Sequence, residues 1–92
     1  MPRQPVRVHI FHQTYSLVTD EDPREVDQIA HEIDELMASI ASKTSSADPA
    51  RVAVLACLHL ADRLRAAQRR LQSLENKSER IATLLEEALD EA

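Results

Sequence analysis

The chain has 92 residues, a formal net charge of −5 at pH 7, one cysteine and no glycine. This length predicts one domain with at most an extended arm, and the negative charge disfavours a general binder of nucleic acids or anionic membranes. The absence of glycine excludes the glycine-rich loops that cradle phosphates or dinucleotides. A single cysteine is typical of a reducing cytoplasm. We expect no membrane span, because no apolar run approaches about 20 residues. We also expect no secretion signal, because the N-terminal residues lack the pattern of charge, apolar core and small-residue cleavage site.

The N-terminal residues predict a β-hairpin. Apolar and polar side chains alternate over residues 6–10 and again over residues 15–19, which is the period of a half-buried strand. A two-residue turn at residues 12–13 would pair Ile10 with Tyr15. That register places five apolar side chains on one face of the hairpin, namely Val6, Val8, Ile10, Tyr15 and Leu17. Because a buried face specifies the register of a strand pair, we predict this pairing.

A first helix is predicted after the hairpin. Asp22 is the expected N-cap, Pro23 suits the first helical turn, and Glu25 completes a capping box. Apolar residues then recur at helical spacing, at Val26, Ile29, Ala30, Ile33, Leu36, Met37 and Ile40. The opposite face, which we expect to be solvated, carries the acidic residues Asp27, Glu32, Asp34 and Glu35. Residues 43–48 form the predicted polar linker to a second helix.

The segment at residues 52–61 is apolar at every position except His59. Asp48 and Pro49 are suited to begin a helix before it, and a helix that is apolar nearly all round must be buried on several sides. The region preceding it is too short to bury it alone. We therefore expect one side to pack on the N-terminal half and another on a second copy of the chain. The predicted dimer core comprises Val54, Leu55, Leu58 and Ala61.

Beyond that segment, the apolar residues follow a seven-residue repeat. The predicted seam includes Leu64, Leu71, Leu74, Ile81 and Leu85. Such a sustained repeat indicates a coiled coil, and the stripe widens towards the C-terminus, which favours a four-helix bundle. We therefore predict an α+β fold. Its head, at residues 1–48, is completed by residues 49–64 of a long helix, and a coiled-coil tail follows at residues 65–92.

Candidate catalytic and metal-binding groups do not form a recognisable constellation. His9 and His12 lack a cysteine or carboxylate partner at ligand spacing. Cys57 and His59 are two residues apart on a predicted helix, so they point to different sides. Cys57 has no evident base, and nothing places two carboxylates in a cleft. We predict no enzyme activity, no metal, no cofactor and no small-molecule substrate.

The chain contains the stretches VRVHIF, TYSLVTDEDP and DPARVAVLACLHLADRL. Together they resemble the ZapA family of bacterial cell-division proteins, from Val6 to about Leu64, and the third stretch is the most specific. The resemblance implies a non-enzymatic cytoplasmic protein that binds the tubulin-like protein FtsZ at the mid-cell division ring. It also implies head dimers that join through their C-terminal helices into a tetramer, which cross-links and bundles FtsZ protofilaments.

The resemblance also implies which residues contact FtsZ. Carried over by position, they are Gln13, Lys43 and Arg51, followed by Arg63 and Arg65. The chain departs from the family pattern at His12, where glycine is common, and at His59, where asparagine is common. These departures concern the turn of the hairpin and one position of the long helix.

Two other interpretations remain open. The cluster at residues 63–70 contains four arginines, and it is either a solvated coiled-coil flank or a patch for an acidic partner. As a phosphate contact, it would make the chain an arginine-rich nucleic-acid-binding dimer. The overall acidity and the scarcity of aromatic residues count against that interpretation, so we predict no nucleic acid and no membrane as partners. The other interpretation is a generic coiled-coil adaptor for a different protein.

Overall fold

The computed structural model describes residues 2–91, which form two strands and two helices. In chain order these elements are β1 (Gln4–Ile10), β2 (Gln13–Thr19), α1 (Pro23–Thr44) and α2 (Pro49–Glu91). They confirm the predicted α+β class, with a hairpin followed by a helix and a long C-terminal helix. The chain divides into two compact units, the first ending at Leu58 and the second beginning at His59. Neither helix in the described part of the chain is both long and apolar enough to cross a membrane.

The hairpin forms, but its turn lies one residue earlier than predicted. The strands are antiparallel with Ile10 opposite Gln13, so the turn comprises Phe11 and His12. The predicted pairing of Ile10 with Tyr15 was wrong by two residues. A shift of two residues keeps every side chain on its original face, so the predicted apolar face is retained.

The turn adopts a backbone conformation that normally favours glycine. The φ angle is 48° at Phe11 and 66° at His12, both positive as a type I′ hairpin turn requires. Asp34 Oδ1, on α1, accepts a hydrogen bond of 2.7 Å from the Phe11 N–H, and Phe11 packs against the core. Asp34 therefore anchors the turn, and the prediction that it belongs to a purely solvated acidic face was wrong.

We expect His12→Gly to stabilise the protein. A non-glycine residue in the left-handed region costs about 1–2 kcal/mol, and glycine's greater freedom in the unfolded chain offsets part of the gain. The free energy of unfolding, measured by urea denaturation, should therefore rise by about 1 kcal/mol. His9→Gly, in β1, is the matched control and should destabilise the protein by about 0.5–1 kcal/mol. A His12→Gly variant that unfolds at lower urea than the wild type would contradict this account of the turn.

Both helices begin at aspartate caps, as predicted. The Asp22 side chain accepts a hydrogen bond of 2.9 Å from the backbone N–H two residues on. The Asp48 side chain accepts one of 3.1 Å from the Ala50 N–H. A proline occupies the first position of each helix, where its missing N–H costs nothing. α1 ends at Thr44 and is followed by the cap residue Ser45, where φ is 53°, so the helix continues past residue 43, the predicted start of the linker.

The core of the first unit is small. Among residues 2–91, the buried apolar residues are Val8, Ala30, Met37, Val52 and Ala56. α1 packs against β1, and Met37 of α1 packs with Val52 and Ala56 of α2. Six of the seven residues of β2 are exposed. The chain therefore covers the hairpin on the β1 side and leaves it open on the β2 side.

Candidate functional site

An open apolar groove lies on the first unit, between the hairpin and the start of α2. Its volume is about 500 Å³. The residues that line this hairpin groove are Val8, Ile10, Phe11, Gln13, Tyr15, Leu17, Met37, Pro49, Ala50 and Ala53. All except Gln13 and Tyr15 have purely apolar side chains. Because an unpaired charge is costly to bury, the hairpin groove is suited to apolar side chains rather than to a charged ligand.

One wall of the hairpin groove is the inner face of β2. Cross-strand partners share a face, so Tyr15 lies beside Val8 and Leu17 beside Val6. Val8 is 1% exposed, whereas Tyr15 is 46% and Leu17 45% exposed. The apolar face of the hairpin is thus buried over the middle of β1 and accessible over β2.

α2 presents another apolar surface within the first unit. One side of its N-terminal segment packs in the core, but Val54 is 60% and Leu58 63% exposed. Of the other predicted dimer-core residues, Leu55 is half-buried and Ala61 is exposed. The segment predicted to be buried on several sides is therefore buried on one side by the chain itself, which leaves the other side available to a partner.

The second unit is helical, and its predicted seam is exposed. Leu64, Leu71, Leu74, Ile81 and Leu85 are each between 56% and 60% exposed. Removing apolar surface from water is favourable by about 25 cal/mol per Å². Within residues 59–91 the seam is therefore an apolar stripe without a covering element, and it is suited to pack against another helix.

The surfaces of both units are suited to association, and one comparison identifies the chain. The family model described as "Cell division protein ZapA" matches residues 6–91. The chain belongs to the ZapA family. The resemblance stated from the sequence is confirmed. Members of the ZapA family are structural factors of cell division, and the family is not a known class of enzyme. No curated protein and no solved structure matches the chain significantly.

In this ZapA-family chain, the residues carried over as FtsZ contacts are distributed over both units. Gln13 lines the hairpin groove. Arg51 does not line it, but follows the lining residue Ala50 in the sequence. Lys43 lies in the last turn of α1. All three are exposed in the first unit, and Arg63 and Arg65 are exposed in the second. The structure thus associates Gln13 with the groove and leaves the four cations on accessible helix surfaces.

The charges of these cations are available to a partner. Within residues 2–91, Arg24 forms an ion pair with Asp22 at 3.5 Å, and His31 Nε2 lies 3.0 Å from Glu35 Oε1. None of the cations carried over as FtsZ contacts takes part in either pair. An acidic surface on another protein could therefore pair with them without breaking an existing contact.

The candidate metal ligands lie apart from one another. In the described part of the chain, no three His, Cys, Asp or Glu side chains are close enough to hold a metal ion. His9 Nδ1 is instead 2.9 Å from Thr14 Oγ1 across the hairpin, and Cys57 is an exposed free thiol. The geometry of the described residues therefore favours binding of a partner through the exposed surfaces of the two units.

Sequence reasoning missed two features of the first unit. Asp34 carried no local signal, because its partner Phe11 lies 23 residues away. The hairpin groove was also not foreseen, although the small residues Ala50 and Ala53 are three apart on α2 and therefore share a face. That spacing of small side chains was the available signal, since it leaves space beside the helix.

Proposed function

We propose that this ZapA-family chain is a non-enzymatic cell-division factor that binds FtsZ and cross-links its protofilaments. The observation that carries the proposal is the presence of exposed apolar surfaces in both units. Exposed apolar surfaces of this kind usually mark interfaces, and two of them allow two separate steps of self-association. The proposed location is the cytoplasm, at the mid-cell division ring.

The first proposed step is a dimer of heads. The few buried residues of the first unit form a core that is small for an independently stable domain. A symmetric pair, the commonest closed assembly, would cover the exposed side of α2. The proposed dimer core consists of Val54, Leu55, Leu58 and Ala61.

The second proposed step joins two dimers through their tails. The exposed seam is apolar and follows the heptad spacing of helices that pack side by side. Four such helices would form a bundle whose interior is the seam. The residues proposed for this interface are Leu64, Leu71, Leu74, Ile81 and Leu85.

The charge distribution favours an antiparallel overlap of the tails. Basic residues cluster at 63–70 and acidic residues at 86–91. The acidic cluster lies at the C-terminal end of α2, which has no basic residue in its last turn, and the helix dipole disfavours negative charge there. Antiparallel tails would place each acidic end beside an arginine cluster. Each exposed pair contributes only about 0–1 kcal/mol, so charge sets the orientation and the apolar seam provides the affinity.

An antiparallel overlap would connect filaments. Because the heads precede the tails in sequence, the two head pairs would lie at opposite ends of the overlap. Each pair could then bind a different protofilament, and two weak contacts held in one assembly act together through a high effective concentration. Such an assembly bundles filaments without locking them, since each contact can release separately.

Co-sedimentation with purified FtsZ and GTP tests the proposal. The chain should pellet with the filaments in a concentration-dependent manner, and electron microscopy of the same sample should show bundles that FtsZ alone does not form. A chain that stays in the supernatant at every FtsZ concentration would remove FtsZ as the partner.

Arg51→Glu is expected to weaken binding to FtsZ filaments about tenfold, or about 1.4 kcal/mol, because it reverses an exposed charge in the first turn of α2. Titration of the pelleted fraction against FtsZ concentration measures the change. Arg24→Glu is the matched control. Arg24 is also exposed but lies outside the proposed contacts, and a glutamate in the first turn of α1 is favoured by the helix dipole. Equal weakening by both variants would indicate an effect of net charge rather than a contact at Arg51.

A further inference from the structure

Two adjacent residues in the turn of the hairpin have a left-handed backbone, and neither is glycine. The φ angle is 48° at Phe11 and 66° at His12. A residue with a side chain pays a conformational cost in this region that glycine avoids. Such residues persist only where the surrounding structure fixes them, and they are concentrated at binding sites. A left-handed residue without a structural role is therefore a candidate for a functional one.

Two of the three left-handed residues in the described part of the chain have a structural role. Ser45 caps the C-terminus of α1, a position where a left-handed backbone is common. Phe11 packs against the core, and its N–H donates a hydrogen bond of 2.7 Å to Asp34 Oδ1. The third residue, His12, is exposed, so burial of its side chain does not account for its conformation.

The ring of His12 is held in place, but the chain makes no polar use of it. Its centroid lies 5.5 Å from that of the Phe11 ring, with the two planes inclined by 40°, which is within the range of favourable aromatic pairs. Because Phe11 is itself packed on the core, this contact restricts the positions of the imidazole. Within residues 2–91, no hydrogen bond and no ion pair involves the His12 ring. Both ring nitrogens are therefore available to another molecule.

We infer that the hairpin tip, residues 11–13, contacts FtsZ through the His12 imidazole and that Asp34 is the residue that positions this contact. The inference rests on the function proposed above and adds two residues to its binding surface. His12 directly precedes Gln13, which is among the proposed FtsZ contacts, so the new contact extends that surface. A role in binding explains why a residue that lowers stability stands in the turn, because stability is commonly lost at functional positions.

The chemistry of the hairpin tip selects a carboxylate oxygen on FtsZ. An imidazole donates through a ring N–H, and the side-chain amide of Gln13 donates through its NH₂ group. The other contacts proposed in the first unit, Lys43 and Arg51, are cations. Cations favour an acidic surface on a partner, and carboxylates on such a surface accept hydrogen bonds from both side chains of the hairpin tip.

Asp34 acts through the backbone of the turn and not by touching FtsZ. It lies on α1, 23 residues from Phe11 in the sequence, so its hydrogen bond ties the turn to that helix. The Asp34 side chain is half-buried, whereas His12 is exposed. A contact that fixes a binding group in advance lowers the ordering cost of association. Loss of the Asp34 acceptor should therefore weaken binding although FtsZ loses no group that it touches.

Histidine footprinting tests the contact in the unmodified chain. Diethyl pyrocarbonate modifies accessible imidazoles, and both His12 and His31 are exposed. At an FtsZ concentration of about ten times the dissociation constant, modification of His12 should slow about tenfold, because little of the chain is unbound. His31, on α1, is the internal control and should react at the same rate with and without FtsZ. Mass spectrometry of the chain's peptides measures both rates.

Two footprinting results would overturn the inference. One is a His12 that reacts at an unchanged rate while FtsZ saturates the chain. The other is a His12 that is already unreactive in the chain alone, because the ring would then be covered by a second copy and not by FtsZ.

His12→Gly separates binding from stability. The variant should unfold at higher urea, because glycine avoids the cost of the left-handed backbone. It should nevertheless bind FtsZ filaments about fivefold more weakly, the effect of one hydrogen bond. A residue with a purely structural role would not weaken binding while stability rises. His31→Ala also removes an exposed histidine and should bind FtsZ as the wild type does. A His12→Gly variant that pellets as well as the wild type, or that loses the dimer mass, overturns the inference.

Asp34→Ala and Glu32→Ala remove the same charge from α1, but only the first removes the acceptor of the Phe11 N–H. Asp34→Ala should weaken FtsZ binding about fivefold, and Glu32→Ala should leave it unchanged. Asp34→Asn keeps an oxygen that can accept the hydrogen bond and should bind within about twofold of the wild type. Footprinting and His12→Gly test the contact even if Asp34→Ala does not fold.

The double variant tests whether Asp34 acts through the hairpin tip. In the His12→Gly chain, Asp34→Ala should weaken FtsZ binding less than about twofold, because the residue that Asp34 positions is already absent. Losses that multiply in the double variant would show that the two residues act independently and would overturn the positioning role.

The same assays separate this inference from the proposed function. If the wild-type chain does not pellet with FtsZ, the proposed partner is wrong, whatever the reactivity of His12. If the wild-type chain pellets and bundles FtsZ while His12 stays fully reactive, the hairpin tip is not a contact and the proposed function stands.

Discussion

A chain ending at Ala66 should bind FtsZ filaments and fail to bundle them. The truncation keeps the whole first unit and removes the seam from Leu71 onwards, so the heads retain their binding surface and lose the surface that joins dimers. Bundles should fall at least about tenfold, because one head pair alone has no avidity for two filaments. Pelleting measures binding, and electron microscopy of the same sample measures bundling. Bundling at the full-length level by the shortened chain would refute the bridging role of the tail.

Ile81→Glu tests the same mechanism in the full-length chain. A carboxylate in a packed seam would be buried without a partner, which costs several kcal/mol. Light scattering should therefore report a folded dimer in place of a tetramer. Asn76→Glu introduces the same charge one residue after Glu75, at a position outside the heptad seam, and should leave both the mass and the bundling unchanged. A tetramer that persists in Ile81→Glu would exclude the seam as the assembly interface.

Leu58→Ala should weaken the head dimer by about 2–5 kcal/mol and leave the fold of the single chain nearly intact. Leu58 is 63% exposed in the chain alone, so the truncation removes little from the chain's own core, and the loss falls on the dimer interface. Sedimentation over a dilution series should show dissociation at a concentration at least about 30-fold higher than that of the wild type. An unchanged dimer mass and an unchanged melting temperature would together contradict the proposed core.

Val52→Ala is the contrasting variant for that experiment. Val52 is fully buried in the single chain, so its truncation leaves a cavity and should lower the free energy of unfolding by about 2 kcal/mol at every chain concentration. The effect of Leu58→Ala on the melting temperature should instead diminish at concentrations where the wild type is also dissociated, because stability gained by association depends on concentration. Val52→Ala thus reports on the core of the single chain, and Leu58→Ala reports on the proposed interface between chains.

Local patterns in the sequence were sufficient to predict the elements of the fold. The caps at Asp22 and Asp48 were predictable because a cap acts on N–H groups within its own turn. The apolar face of the hairpin was predictable because side chains alternate with a period of two in either register. The helix through residues 52–61 followed from its length and spacing, and the same residues carried the resemblance to the ZapA family that the family match confirms.

The position of the hairpin turn was decided by tertiary contacts. The predicted and observed registers put the same side chains on the same face, so the hydrophobic pattern could not distinguish them. The observed register is supported by the hydrogen bond from the Phe11 N–H to Asp34 and by the packing of Phe11 on the core. A glycine in the turn would have been a local signal, and the chain contains none.

For the candidate site, too, the sequence determined one part and the tertiary structure decided the other. The sequence by itself determined that residues 52–61 are apolar nearly all round, but not which side the chain covers. Only the tertiary structure decided that Val52 is buried while Val54 and Leu58 are exposed, because burial depends on which side of α2 meets α1 and not on the hydropathy of each residue. The exposure of Tyr15 and Leu17 likewise follows from the packing of α1 on β1, since alternation along a strand defines its faces but not the element that covers them.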